Sequence, residues 1–432
     1  MDRKILIVGT VPYNKKSTSR AFESYFQGWE KSCLAQIFSN TKTPAKGHCD
    51  KLYQITDQRM IQRRYNKNIS TGKEFTYSEL PEEWANSSLE VNSSVFRRLY
   101  RFGDHKNSLT YLIRKIVWKK KYWCTPELEA WLNEFNPDCV FLSFSDDYFI
   151  SEIALYVARK FNIPIVSSIG DDYYFNDRFS ISPFYFYYRK TYKKLIREVF
   201  EHGGSAIYIS DKIRDKYNTE FGLNGKTVYL TSELERRAFR SVNVENPIIS
   251  YFGNIRQGRN ESLNEIGTEL GNISKDYMLN IYSNQDTENV IKEFINNPNV
   301  KFHGSIPYAE VLKRTMESDI VVVVEGFKPE HVNNTRYSLS TKAADSLASG
   351  VQILVYGSPE CGVIEYMQET NSAAVCTRRS ELKETIEKLI FDKQFQRKNY
   401  ENAIHVSKMN HTIEASTNQF RVVVEDAINE YK

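Results

Sequence analysis

Short unbroken apolar runs alternate with segments of helical period along most of this chain. Residues 4–9, KILIVG, are apolar after the first position, the pattern of a central parallel strand buried on both faces. A loop over 10–19 and an amphipathic helix from Arg20 follow, opening a βαβ series. The same reading predicts strands at 139–145, 165–168, 228–230, from Pro247, at 279–283, 297–304, 319–324, 351–356 and 373–376. Helices are predicted at 128–135, 150–161, 363–368, 381–400 and 412–431. This is an α/β pattern.

Residues 338–357, SLSTKAADSLASGVQILVYG, carry the strongest local signals. Ser340 and Thr341 are N-cap residues, Lys342 through Leu347 continue as helix, Gly350 ends it in a left-handed conformation, and a strand follows. A helix N-terminus presents unpaired N–H groups and the positive end of its dipole, so hydroxyl residues with a lysine there form a candidate diphosphate seat. A nucleotide-sugar fits such a seat.

Length and composition narrow the classes. At 432 residues the chain suits two domains of roughly 200 each. The formal charge of +4 is too small for a chain this long to imply nucleic-acid binding. The apolar run at the N-terminus is too short for a secretory h-region, and no span of about 18 apolar residues occurs. A cytoplasmic protein is expected. The six cysteines show no C-x-x-C spacing or histidine cluster, so reduced thiols are expected, with neither a zinc site nor a disulfide framework.

Other segments leave two readings open. Thr10, Tyr13, Lys15, Lys16 and Ser19 follow a strand end and are candidate cleft residues, or a solvated loop, without a G-x-G-x-x-G fingerprint. Residues 49–125 are irregular and polar, with 58–94 read as an insertion containing some helix. Within 97–123 nine Lys or Arg residues accompany a single Asp among Leu, Ile, Val, Tyr and Trp. That stretch either lies on an anionic membrane surface, making the protein peripheral on the inner face, or turns its apolar side to the core and its basic side to water. Residues 182–200, SPFYFYYRKTYKKLIREVF, can stack on sugar rings, rest at a bilayer interface or pack between domains. Two acidic pairs, Asp146-Asp147 and Asp171-Asp172, fall just past strand ends. A carboxylate there, Asp172 in particular, either takes a proton from an acceptor hydroxyl or caps a helix.

The segment LASGVQILVYG, preceded by Asp345 and by S-T-K, resembles the donor-site segment of GT-B glycosyltransferases of the family 4 type. Residues 247–259, PIISYFGNIRQGR, resemble the strand and glycine loop of that family, and VKFHGSIPYAEVLKRTMESDIVVVV its following strand, turn, helix and strand. The resemblance covers 247–376 well, and 137–175 and 205–222 weakly. It implies two Rossmann-like domains facing a cleft: an N-terminal acceptor domain over 1–246, with an insertion about 51–125, a nucleotide-sugar domain over 247–411, and a helix over 412–432 returning to the first.

The resemblance also implies roles. Gly253 and Asn254 approach the donor diphosphate through the backbone. Arg259, with Arg256 as a second candidate, supplies the cation. Ser340, Thr341 and Lys342 seat the phosphates, Asp345 holds the ribose and His303 lines the base pocket. The family's first carboxylate, eight residues before Asp345, is Tyr337 in this chain, and Glu325 of an EGF sequence is the candidate to replace it. Arg259, Asp172 and Glu325 are thus the catalytic candidates. The activity implied is that of a metal-independent, retaining hexosyltransferase. It would use a UDP- or GDP-linked sugar, no further cofactor, and a glycan, lipid-linked or protein acceptor, as in surface-polysaccharide synthesis. Tyr337 keeps open a second reading, a catalytically silent GT-B subunit that holds or activates a partner transferase.

Overall fold

In the computed structural model the unbroken apolar runs become strands and the periodic segments become helices, over residues 2–12, 20–82, 108–177, 179–285 and 288–431. Tyr13, Lys15, Lys16, Ser19 and residues 83–107 of the predicted insertion and basic stretch lie outside the described residues. The chain divides into two units, Met1–Val228 with Thr417–Lys432, and Tyr229–Ser416.

The first unit holds β1 (Ile5–Gly9), β2 (Leu34–Phe38), β3 (Lys51–Ile55), β4 (Gly72–Thr76), β5 (Cys139–Ser143), β6 (Ile165–Ile169), β7 (Gly204–Tyr208) and β8 (Lys226–Thr227). They form one sheet in the order β4-β3-β2-β1-β5-β6-β7-β8. Only the edge pair β3–β4 runs antiparallel. β1 is buried along its whole length, as its apolar run requires. The expectation of an irregular insertion from about residue 51 is corrected here: β3, the helix Asp57–Tyr65 and β4 extend the sheet. KLYQI and GKEFT are short and half polar, so periodicity does not announce them as strands. The final helix, Ile413–Glu430, places Phe420 among Tyr25, Phe26, Trp29 and Phe141 of this unit's core, with ring centroids 5.0 to 5.8 Å away.

The second unit holds β9 (Ile249–Phe252), β10 (Leu279–Tyr282), β11 (Val300–Gly304), β12 (Ile320–Val324), β13 (Gln352–Tyr356) and β14 (Ala374–Cys376). All neighbours are parallel, in the order β11-β10-β9-β12-β13-β14. Counted within the unit this is the doubly wound order 3-2-1-4-5-6, whose ligand crevice lies beyond the carboxyl ends of the first and fourth strands. Those are β9 and β12. The ladder between them registers only Ile320 with Ile249 and Val321 with Ser250, so beyond that point the two strands part.

Three segments differ from the sequence reading. The connector 229–246 belongs to the second unit, so the chain divides after Val228 and not near Asn246. Arg237 explains this: its Nη1 donates to the carbonyls of Ser318 at 2.6 Å and Met316 at 3.0 Å, at the carboxyl end of the helix Tyr308–Glu317. The helix predicted over 381–400 is two, Leu382–Phe391 and Lys393–Asn410, because the Asp392 carboxylate accepts from Gln394 N and Phe395 N, each at 2.9 Å, and starts the second. Between the strand ending at Val324 and the seat, where no element is predicted, stands a helix, Pro329–Thr335, begun by a proline at its first turn.

His411 yields a first prediction. It is 2% exposed, with Nδ1 at 2.8 Å from the Leu230 carbonyl and Nε2 at 2.9 Å from Tyr366 Oη. A carbonyl only accepts, so Nδ1 carries the proton and Nε2 takes the tyrosine's. Burial lowers the imidazole pKa to about 4. As pH falls from about 6.5, the unfolded chain gains a proton that the folded chain refuses until about 4, so stability is lost across that window. Urea unfolding at pH 7 and pH 4.5 should differ by about 2–3 kcal/mol from this residue. A His411→Asn variant should be less stable at pH 7 and lose less on acidification.

Candidate functional site

Four segments of the second unit meet where β9 and β12 part. The first is the end of β9 and its loop. Tyr251, fully buried, donates from Oη to the Asn254 carbonyl at 2.5 Å, which curls the loop back over the strand end. The Asn254 side chain accepts from Arg256 N at 2.8 Å and tightens the next turn. Gln257 and Gly258 take φ of 61° and 77° before the helix Arg259–Ile273 begins. Arg256 is exposed on that turn.

The second segment is the end of β12. Glu325 follows its last residue and is 3% exposed. Arg259 Nη2 stands 2.8 Å from each of the two Glu325 carboxylate oxygens, and its Nε donates to the Val324 carbonyl at 3.3 Å. Glu325 O also accepts from the buried hydroxyl of Ser262 at 2.9 Å. The guanidinium is therefore held by its stem, with one edge on the carboxylate.

The third segment is the predicted seat. Ser340 is the N-cap of the helix Thr341–Ser349, its Oγ accepting from Lys342 N at 3.3 Å, and Gly350 closes the helix at φ 74°. The Lys342 side chain runs back to β9. Nζ donates to Tyr251 Oη at 3.0 Å and lies 4.6 Å from that ring's centroid. A Cβ built on Gly253 would fall 2.1 Å from Lys342 Cε and Nζ and displace the lysine's tip, and the φ of 137° there is one that other residues rarely adopt. Burial and the positive charge of Arg259 together push the Lys342 ammonium down to about 7. Arg259, Lys342 and the Gly253 loop thus converge on one place, although 83 positions separate the two cations along the chain. The side chain of Thr341 lies outside the described residues.

The fourth segment carries an aromatic ladder. Phe252 and Tyr282 end β9 and β10, and His303 is the last residue but one of β11, with ring centroids 5.1 and 4.6 Å apart and nearly parallel planes. His303 pairs with Asn280 Oδ1 at 2.8 Å and keeps its outer side in water. Burial, Lys301 and Arg314 lower its pKa.

The remaining candidates stand elsewhere. Asp345, one turn into the helix, accepts from Ser232 Oγ at 2.7 Å and from Tyr308 Oη at 3.5 Å. Asp172 is in the first unit, where Oδ1 accepts from Phe175 N and Tyr217 Oη, both at 2.9 Å, an arrangement that fixes a turn. Among the described residues no group of three or more His, Cys, Asp or Glu is placed to hold a metal ion. Tyr251, Ser262, Ser232 and Tyr308 complete the contacts and carry no sequence signal of their own: each is an ordinary strand, helix or connector residue until the fold brings it in.

No protein-family model and no curated relative matches this sequence. Solved structures do match in fold. The Anabaena protein HepE in complex with UDP aligns at 11% identity and TM-score 0.57, over 98% of this chain and 100% of that one. Sucrose-phosphate synthase of Thermosynechococcus elongatus aligns at 12% and 0.57, over 99% of each chain. A glycosyltransferase of Rickettsia africae aligns at 12% and 0.55, over 100% of this chain and 99% of that one. With whole-chain matches at TM-scores of 0.55 to 0.57 and two helix-flanked sheets, one wholly and one mainly parallel, the protein has the GT-B fold of glycosyltransferases.

Proposed function

We propose that this chain is a glycosyltransferase moving a sugar from a UDP-linked donor to a hydroxyl acceptor. The observation that carries the reading is the convergence of Arg259 and Lys342 beside the Gly253 loop, at the switch point of a 3-2-1-4-5-6 sheet. Two cations and a helix N-terminus form a basic seat of the kind a pyrophosphate occupies. As the glycosidic bond to the leaving diphosphate breaks, negative charge grows on its oxygens, and fixed positive groups there lower the barrier by several kcal/mol. Glu325 acts in this reading as a positioning residue for Arg259. His303 offers its outer face to the base, and Asp345 the ribose-side carboxylate. Asp172, whose Oδ1 already takes two donors, is left with Oδ2, 3.8 Å from Lys216 Nζ, as the oxygen that could take an acceptor's proton. The choice of uridine is supported by the UDP held in the HepE neighbour.

Thermal unfolding with UDP, GDP and ADP tests the reading. UDP at a hundred times its dissociation constant should stabilise the chain by roughly 3 kcal/mol. Incubation with UDP-glucose should then release UDP, and absence of any nucleotide-dependent shift would sink the proposal. The engagement of Arg259 by Glu325, together with Tyr337 in a carboxylate's usual place, favours a second reading, a binding subunit without turnover. UDP binding by the purified chain with no release from any UDP-sugar, unless a partner transferase is added, would support it.

A further inference from the structure

The helix Ser108–Val117 is inside out. Its sequence, SLTYLIRKIV, places Leu109, Leu112, Ile113 and Ile116 at the spacing of one helical face. In a surface helix that face turns inward. Here Leu109, Ile113 and Ile116 are 43%, 43% and 48% exposed. The polar residues face the protein instead. Arg114 lies against Asp57, with Nη2 at 3.0 Å from Oδ2, and Nη1 also pairs with Asp147. Tyr111 donates to Asp146 and stacks on Tyr188, centroids 4.7 Å apart, and Thr110 is buried. The charged network pins the orientation, because turning the helix over would strip Asp57 and Asp147 of their cation.

The neighbouring helix continues the surface. Pro183–His202 meets Ser108–Val117 through the Tyr111–Tyr188 stack and through Lys115, whose Nζ sits 5.8 Å from the Tyr187 ring centroid. Phe184, Phe186 and Tyr187 of its first turns are more than half exposed. Lys119, Lys120 and Lys121, which follow the first helix, and Lys190 and Lys194 of the second are exposed. Neither 108–123 nor 183–197 contains a carboxylate.

We propose that these two helices form a docking face for an anionic bilayer surface. Aliphatic side chains enter the acyl boundary, aromatic rings sit at headgroup level, and the lysines meet lipid phosphates. Charge decides among occupants. A second copy of this chain would bring the same lysines to the same patch, cation against cation, across a self-complementary interface. A lipid phosphate layer supplies the opposite sign. No described helix is long and apolar enough to cross a membrane, so the contact is a surface one. The proposal rests on the first unit alone and is independent of the transferase reading.

The full chain sedimented with vesicles of phosphatidylcholine, alone or mixed with phosphatidylglycerol, tests it. The expected result is partitioning onto the mixed vesicles ten- to hundredfold stronger than onto phosphatidylcholine alone, weakened by high salt. The Leu109→Ser/Ile113→Ser/Ile116→Ser variant should lose about tenfold or more of that binding while it still unfolds cooperatively with the wild-type circular dichroism spectrum, since nearly half of each side chain already faces water. Lys119→Ala/Lys121→Ala/Lys190→Ala should lose the preference for the anionic lipid. Failure of the wild type to sediment with either vesicle, or equal binding by the serine variant, would overturn the proposal. So would a dimer in velocity sedimentation that the serine variant dissociates, with no vesicle binding by the wild type.

Discussion

Glu325→Ala should destabilise the protein by about 3–5 kcal/mol, the usual cost of leaving one member of a buried ion pair alone. Arg259 keeps only 14% of its side chain exposed, and its remaining partner would be the Val324 carbonyl at 3.3 Å. The loss concerns the guanidinium left behind as much as the carboxylate removed. Glu325→Gln keeps an oxygen for Nη2 and should cost less, about 1–3 kcal/mol. Arg259→Met with Glu325→Met removes both charges together and should recover much of the difference. Urea unfolding of the wild type, Arg259→Met, Glu325→Met and the double variant closes a double-mutant cycle, and a coupling within 0.5 kcal/mol of zero, roughly the level of independent sites, would mean that the pair does not act as one unit. The cycle also separates stability from function. Arg259→Met/Glu325→Met should fold and fail to bind UDP, whereas a purely structural pair would leave binding intact.

How much of this site was legible in the sequence depends on whether the signal is local. The seat, 338–357, could be read almost to the residue: Ser340 as N-cap, Gly350 in the left-handed region and the following strand at Gln352–Tyr356 are all dictated by neighbours along the chain. The resemblance pointed to the right fold for the same reason, since strand, glycine loop and helix are contiguous. The long-range partners could not be read. Nothing near Glu325 says that its partner is Arg259, 66 residues earlier, and nothing near Tyr251 says that its hydroxyl meets Lys342. The acidic pairs past β5 and β6 were conspicuous, yet whether a carboxylate faces substrate, a turn or an arginine is decided by other segments. Asp147 takes Arg114, and Asp172 takes a turn and a tyrosine. The helix Ser108–Val117 is the sharpest case. Period 3.6 establishes that it has an apolar face, but which way that face turns is fixed by Asp57 and Asp147 from outside the helix.

Lys342→Met should weaken UDP binding by about 10- to 100-fold, the loss of one or two charge-assisted hydrogen bonds, and should at the same time stabilise the unliganded fold. Opposite signs follow from where the ammonium stands. Its folded pKa is about 7, against 10.5 in the unfolded chain, so between those values the unfolded chain holds a proton that the folded one has released. Stability therefore rises with pH through this window, and the full cost of burying the charge is present below about 7. Methionine keeps the length and removes that cost, so its stabilising effect should be larger at pH 6 than at pH 9. A bound diphosphate reverses the balance, since negative oxygens beside Nζ favour the ammonium. Above pH 7.5 the nucleotide's terminal phosphate is already ionised, its second pKa lying near 6, so proton uptake on binding should come from the protein. Calorimetry of UDP binding at pH 8.5, in two buffers of different ionisation enthalpy, should detect uptake of close to one proton by the wild type and none by Lys342→Met. The wild-type dissociation constant should accordingly rise with pH over this range. Uptake that persists in the methionine variant would assign the proton to another group, and a variant that binds UDP as tightly as the wild type would remove Lys342 from the phosphate seat.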